Sequence, residues 1–391
     1  MRSPSAARGR PWPGWRLSAF LPQRVGERLS ALRQLLASRP EWVAAALSVF
    51  LLGAYAEVMW LEWVSDDQYG HGVFVPVLTG ALLWRRWRTR PEPSTGTGGE
   101  RYPRWAVAVI VGLMIGALPF HILHGANPEW RLLLWAMAVA TAAGGAAITA
   151  LIGGRAWLRH FAPAWALLLL AVPWPTQLES AVTGGLMRSV AAMVGELLAV
   201  LGIFAQRFGN VIHLADGPVG VAEACSGIRS FQLSLTMGYF LAEVARLSAR
   251  RRVMVIVAAL AVAYGLNVAR TLALVLLVAN RGPEVMAHWH DGLGLAVMLA
   301  LLGAVYAGVQ LLRKRDPGTE PSPRKGTGSA PAKLPRWVAV GLPLAYLGAA
   351  TTAMLYFEAR AGTAATAFLV LREGALPPTW APAHITPEVR A

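Results

Sequence analysis

The chain has 391 residues, of which 55% are hydrophobic and 15% charged, with a formal net charge of +15 and a mean hydropathy of +0.46. A water-soluble protein of this length spreads charge over its whole surface, whereas here the charge gathers in a few stretches between apolar runs of roughly 20 residues, each long enough to cross ~30 Å of hydrocarbon as a helix. That excludes a soluble globular protein, and it makes the basic excess a mark of topology rather than of nucleic-acid binding, because the arginines cluster in tails and short loops such as RRWRTR (85–90), RLSARRR (246–252) and RKR (313–315).

In chain order, the first 40 residues are arginine-rich, broken by proline and too long for a cleaved signal peptide. They read as a basic cytoplasmic tail with an interfacial amphipathic helix around 24–37. Apolar spans follow at roughly 42–63, 72–84, 105–124, 131–152, 160–173, 182–204, 227–245, 253–279, 292–312 and 336–356. The second and fifth are short. PEPSTGTGGERYP (91–103) and residues 316–335 are loops or linkers rich in Pro, Gly and Ser. The expected fold is all-α: a polytopic transmembrane bundle of about eight core helices in 41–315, a cytoplasmic linker at 316–335, and one C-terminal helix with a short extracytoplasmic tail in 336–391. Tryptophans at 60, 63, 84, 174 and 289 flank the spans as interface anchors do.

If the basic stretches 85–104, 153–159, 246–252 and 313–335 are cytoplasmic, the intervening loops lie outside, and this predicts a multi-pass protein of the inner membrane. One segment breaks the alternation. Were 182–204 to span, the helix after residue 225 would end its descent on the wrong side. Either 182–204 is re-entrant or interfacial, a reading its Arg188 and Glu196 favour, or a further crossing lies in 205–224.

VAEACSGIRS (221–230) holds the only cysteine of the chain, so no intramolecular disulfide exists. A lone cysteine is usually a small buried hydrophobe, and its surroundings decide whether it reacts. Cys225 stands at or just before the N-terminus of a membrane helix, where free N–H groups and the helix dipole favour a thiolate. The 21 residues from Cys225 to Arg246 rise about 31 Å. On the next helix Arg270 lies 18 residues above Arg252, about 27 Å, inside the apolar GLNVARTLAL. An arginine there needs a partner or a wet cavity. Asn267, one turn earlier, shares its face. His290, in the loop RGPEVMAHWHDGLG, is 23 residues above Arg313, about 34 Å. Three consecutive segments thus bring a cysteine, an arginine and a histidine to a similar depth near the outer face.

These three suit acyl transfer. A thiolate attacks a carbonyl, an imidazole moves the protons, and a guanidinium, which has no acceptor, stabilises the developing oxyanion. The stretches EACSGIRS, NVAR and HDGLG, with DDQYGHGVFVP (66–76) and VPWP (172–175), resemble the exosortase/archaeosortase family of membrane-embedded cysteine transpeptidases over about 42–313. The resemblance implies Cys225 as nucleophile, Arg270 as transition-state stabiliser and His290 as proton donor and acceptor. It also implies substrates: exported proteins bearing a C-terminal sorting signal of PEP-CTERM type (a short motif, a transmembrane helix and a basic cluster), passed on to an envelope lipid or polysaccharide acceptor. The family's His-x-x-x-Gly spacing selects His290, with Gly294, over His288.

Ser226 and Gly227 adjoin the cysteine. Glu223 either holds Arg229 or Arg270 or tunes the thiol. His71 lines the cavity or binds substrate, or else is an interfacial loop histidine. No two histidines form an i, i+4 helical pair, so neither a metal nor another cofactor is expected. Two other classes fit the same composition: a polytopic transporter, and a histidine-dependent acyltransferase of envelope polysaccharide assembly. Loss of function in Cys225→Ser separates the transpeptidase from both.

Overall fold

Each long apolar run forms a helix, because hydrocarbon leaves backbone polar groups no partner but one another. The computed structural model describes residues 40–93, 103–214, 217–220, 226–282, 284–314, 334–335 and 337–368. In chain order these form α1 (Pro40–Ser65), a 3-10 turn (Gly70–Phe74), α2 (Val75–Arg88), α3 (Arg104–Ala126), α4 (Arg131–Ala166) with a 3-10 extension (Leu167–Ala171), and α5 (Thr176–Val200). Three short strands follow, β1 (Gln206–Phe208), β2 (Val211–Leu214) and β3 (Gly217–Gly220). Next come α6 (Ile228–Val244), α7 (Ala249–Arg281) and α8 (Glu284–Lys314), and last a π turn (Trp337–Gly341) leading into α9 (Leu342–Phe368). Seven of the helical runs are long and apolar enough to cross a membrane. Among the described residues there are eight helices before the linker and one after it, which is the expected helical bundle.

α4 is two spans rather than one. Gly154 has φ 67 and ψ −157, outside the helical region, and the chain reverses there. Arg131 Nη1, at the start of the first limb, therefore donates to the Trp174 carbonyl at 2.9 Å, and Trp135 Nε1 donates to that of Pro173 at 2.9 Å. The apolar runs 131–152 and 160–173 are the limbs of this hairpin, and basic Arg155 and Arg159 sit at its bend. Contacts between elements place the bend, the C-termini of α2, α6 and α8, and the N-terminus of α7 at one end of the bundle, the basic end.

α5, itself one of the seven runs long and apolar enough to cross, packs with the strands that follow it in the way expected of the non-crossing alternative. Its first turn is fixed at the end opposite the basic clusters, where Glu179 pairs with Arg131. The strands that follow it stay at that end, since Ile212 of β2 joins Val190 and Val194 of α5 in an apolar cluster with Leu274, Val275 and Val278, near the far end of α7. β1, β2 and β3 form an antiparallel meander with Gln206 opposite His213 and Ile212 opposite Val219. Strands of three or four residues reach only ~14 Å, so no further crossing lies in 206–214 or 217–220. The alternation of apolar helices gave no sign of this small sheet.

Two further clusters complete the core. One joins α1–α4 with the turn into α9, and the other joins α6, α7 and α8. α9 lies against α3 and α1, with Tyr346 Oη donating to Glu57 at 3.0 Å. Trp60, Trp84 and Trp289 are exposed as interface anchors would be, but Trp63 is buried and donates from Nε1 to the Ala171 carbonyl at 2.9 Å. Trp63 is thus a packing residue, and its ring fills the space that a side chain at Gly72 would need.

Candidate active site

Cys225 and Glu223 lie outside the described residues, which resume at Ser226. Ser226 is buried, and its Oγ accepts the Ile228 N–H at 3.2 Å, a local turn that opens α6. Gly227 caps the helix in a left-handed conformation, φ 84 and ψ 6. A Cβ built there would stand 2.7 Å from both Cγ and Nδ2 of Asn267, which is itself only 2% exposed. Close approach of the Gly227 backbone to the Asn267 side chain therefore seats the first turn of α6 on α7.

One turn further along α7, Arg270 reaches across to α8. Its Nη2 lies 3.0 Å from His290 Nε2 and donates to the His290 carbonyl at 3.2 Å. Asn267 and Arg270 share a face, as their i, i+3 spacing requires. His290 is not in a loop: α8 begins at Glu284, two turns before the continuous apolar run, so the histidine is held on a helix. The stop signal is Gly282, at φ 87, ending α7. On the other side of the imidazole, Nδ1 lies 3.0 Å from an Asp291 carboxylate oxygen. Gly294, one turn on, faces the guanidinium, and a Cβ there would lie 3.4 Å from Nη2.

The segments 66–76 and 172–175 frame this arrangement. Tyr69 Oη accepts the Trp174 N–H at 2.9 Å, and buried Gln232 of α6 lies beside the same hydroxyl. Gln68 Nε2 donates to Glu179 at 2.7 Å, and Glu179 also pairs with Arg131. Arg229 reaches Asp67 at 3.4 Å, so its described carboxylate partner is on the 66–76 segment. His71 faces the Gln68 carbonyl at 3.3 Å and that of Leu170, and burial holds its imidazole below the ordinary range. It belongs to this framework rather than to the Arg270–His290 pair. Among the described residues no three His, Cys, Asp or Glu side chains gather as a metal site.

The far end of α6 is pinned as firmly. Glu243, with no exposed side-chain surface, pairs with Arg86 of α2 and, at 2.6 Å, with Arg252 of α7. Arg86 also donates to the His160 carbonyl of the α4 hairpin. Helix α6 is thereby held against α7 at its start and against α2, α4 and α7 at its end.

Chemically, Arg270 and His290 join a fixed cation and hydrogen-bond donor to a group that can take and return a proton, beside the helix start that follows Cys225. Sequence reasoning missed Asp291, whose only signal was its place next to His290, and the Gln68–Glu179–Arg131 set, which joins three sequence-distant segments. Comparison with curated proteins and with solved structures finds no match. The family model described as transmembrane exosortase matches residues 63–307, more than half the chain and a range that contains every site residue above. By that match, and with the helical architecture in agreement, the chain belongs to the transmembrane exosortase family.

Proposed function

We propose that this protein is a cysteine transpeptidase that cleaves the C-terminal sorting signal, of PEP-CTERM type, on exported proteins and transfers the new carboxyl end to an envelope lipid or polysaccharide. The observation that carries the reading is the Arg270–His290 pair, 3.0 Å apart, at the level where Gly227 docks on Asn267. Two peptide units separate Cys225 from Gly227, so covalent geometry alone limits their Cα atoms to about 7 Å apart. That keeps the proposed nucleophile close along the chain to the helix start seated on Asn267.

In this mechanism His290 takes the Cys225 thiol proton, and sulfur attacks the scissile carbonyl. Arg270 donates to the oxygen that becomes negative, an interaction typically worth about 3–4 kcal/mol in the transition state. As the tetrahedral intermediate collapses, the imidazolium protonates the departing amine and leaves a thioester on Cys225. His290 then deprotonates the incoming acceptor nucleophile, which displaces the thiol. The basic loops at the other end of the bundle support reading that end as cytoplasmic, in an inner membrane, and the reaction as extracytoplasmic. A scissile bond just outside a substrate's membrane helix meets the enzyme at that depth. The last helix and tail, 336–391, are expected to have no catalytic role.

The test is to express wild type and Cys225→Ala beside a signal-bearing substrate, then measure processing and look for a thioester-linked adduct. Wild type gives both and the variant neither. Processing by Cys225→Ala would refute the assignment.

A further inference from the structure

The arginines of RRWRTR (85–90), at the C-terminus of α2, are not committed equally. Arg86 turns inward, pairing with buried Glu243 and donating to the His160 carbonyl. Arg90 folds back onto α2, donating to the Trp87 carbonyl at 2.9 Å with its guanidinium over the Trp87 ring. Arg85 and Arg88 remain exposed, and among the described residues no carboxylate pairs with either. Arg88 lies over the ring of Trp84, 5.2 Å from its centroid. Three residues apart, Arg85 and Arg88 share one side of the helix.

That side borders a hollow. Between the last turns of α2 and α6 lies a cavity of about 360 Å³, whose lining includes Ala81, Trp84, Arg85 and Arg88 of α2 and Phe240 and Val244 of α6. Ala81 stands about 10 Å further into the bundle than Arg88, at 1.5 Å per residue. With Phe240 it makes that part of the lining apolar. The mouth carries the two guanidinium groups, and Trp84 stands beside them, 58% exposed, as an anchor does at headgroup level.

We propose that this hollow binds an anionic phospholipid, with the phosphate on Arg85 and Arg88 and the first part of an acyl chain against Ala81, Phe240 and Val244. Charge complementarity selects the occupant. Two guanidinium groups with no carboxylate between them favour a ligand of net negative charge, and their planar N–H forks match phosphate oxygens. A basic pocket between transmembrane helices on the cytoplasmic side suits such headgroups. A free phosphate would satisfy the arginines alone, whereas a lipid also covers the apolar part of the hollow. Because Arg86 ties α2 to Glu243 of α6, a lipid bridging the same two helices braces that joint from the membrane side. The hollow is at the end of the bundle opposite Arg270 and His290, and binding there does not depend on the catalytic assignment.

The test uses the full-length protein in non-ionic detergent, titrated with dioleoyl phosphatidylglycerol or dioleoyl phosphatidylcholine and read by native mass spectrometry. Phosphatidylglycerol should bind about tenfold more tightly, and Arg85→Gln and Arg88→Gln should each weaken it about fivefold. Arg155→Gln combined with Arg159→Gln removes the same charge from exposed positions at the same end, and should leave binding unchanged. An equal loss in that control pair would overturn the site and leave only general attraction to a basic surface. Ala81→Leu narrows the apolar part without touching either arginine, and carries the test if the arginine variants fail to fold. It should weaken phosphatidylglycerol about fourfold for each methylene kept out. Unchanged binding in Ala81→Leu, or displacement of the lipid by millimolar glycerol phosphate, would show an anion site with no place for a lipid chain. Equal affinity for the two lipids would refute the proposal outright.

Discussion

Replacing Gly227 by alanine probes the joint between the helix that follows the nucleophile and the helix that carries Arg270. The backbone at 227 is left-handed, φ 84 and ψ 6, which costs an L-residue about 1–2 kcal/mol. The new methyl would also sit 2.7 Å from Cγ and Nδ2 of Asn267, and that side chain is too buried to swing away. Overpacking of this kind adds about 1–3 kcal/mol, for a total of about 2–5 kcal/mol. The two parts separate in a double-mutant cycle. Asn267→Ala removes the obstacle, so Gly227→Ala should cost only its backbone share in that background. The measurement is denaturation of the four proteins in one detergent, followed by far-UV circular dichroism. A coupling energy of about 1–3 kcal/mol is expected; costs that add within about 0.5 kcal/mol would show that residues 227 and 267 do not meet.

The far end of the same helix gives a second prediction. Glu243→Ala leaves Arg86 and Arg252 without the carboxylate they share, a loss of about 3–5 kcal/mol for a buried pair. Glu243→Gln should be milder, and an unchanged melting temperature in Glu243→Ala would refute the clamp. The third concerns topology. In a Cys225→Ala background, Asn127→Cys and Asn210→Cys should be labelled by a membrane-impermeant maleimide from one side of the membrane, and Thr89→Cys from the other. Labelling of Asn210→Cys together with Thr89→Cys would mean that α5 crosses after all.

Much of the bundle was legible because hydrocarbon imposes a single rule on the chain. A run of about 20 apolar residues must become a helix, and arginines mark one of its ends. The hairpin at Gly154 was visible for the same reason, as a full-length and a short apolar run around a basic stretch. The meander at 206–220 was not, since three- and four-residue strands leave no periodicity to detect. Trp63 looked like an interface anchor because it stands at the end of an apolar span, yet the hairpin limb ending at Ala171 covers it.

The linear sequence alone determined the depths of Arg270 and His290, because 1.5 Å per residue counted from a basic end needs no knowledge of neighbours. It also determined that an arginine so placed must have company. Lateral packing alone decided what that company is. Only the crossing of α7 against α8 brings Nη2 to 3.0 Å from Nε2, and only the missing side chain at Gly227 lets α6 close on Asn267. Depth is a sum along one chain, whereas which helix faces meet depends on the packing of all of them together.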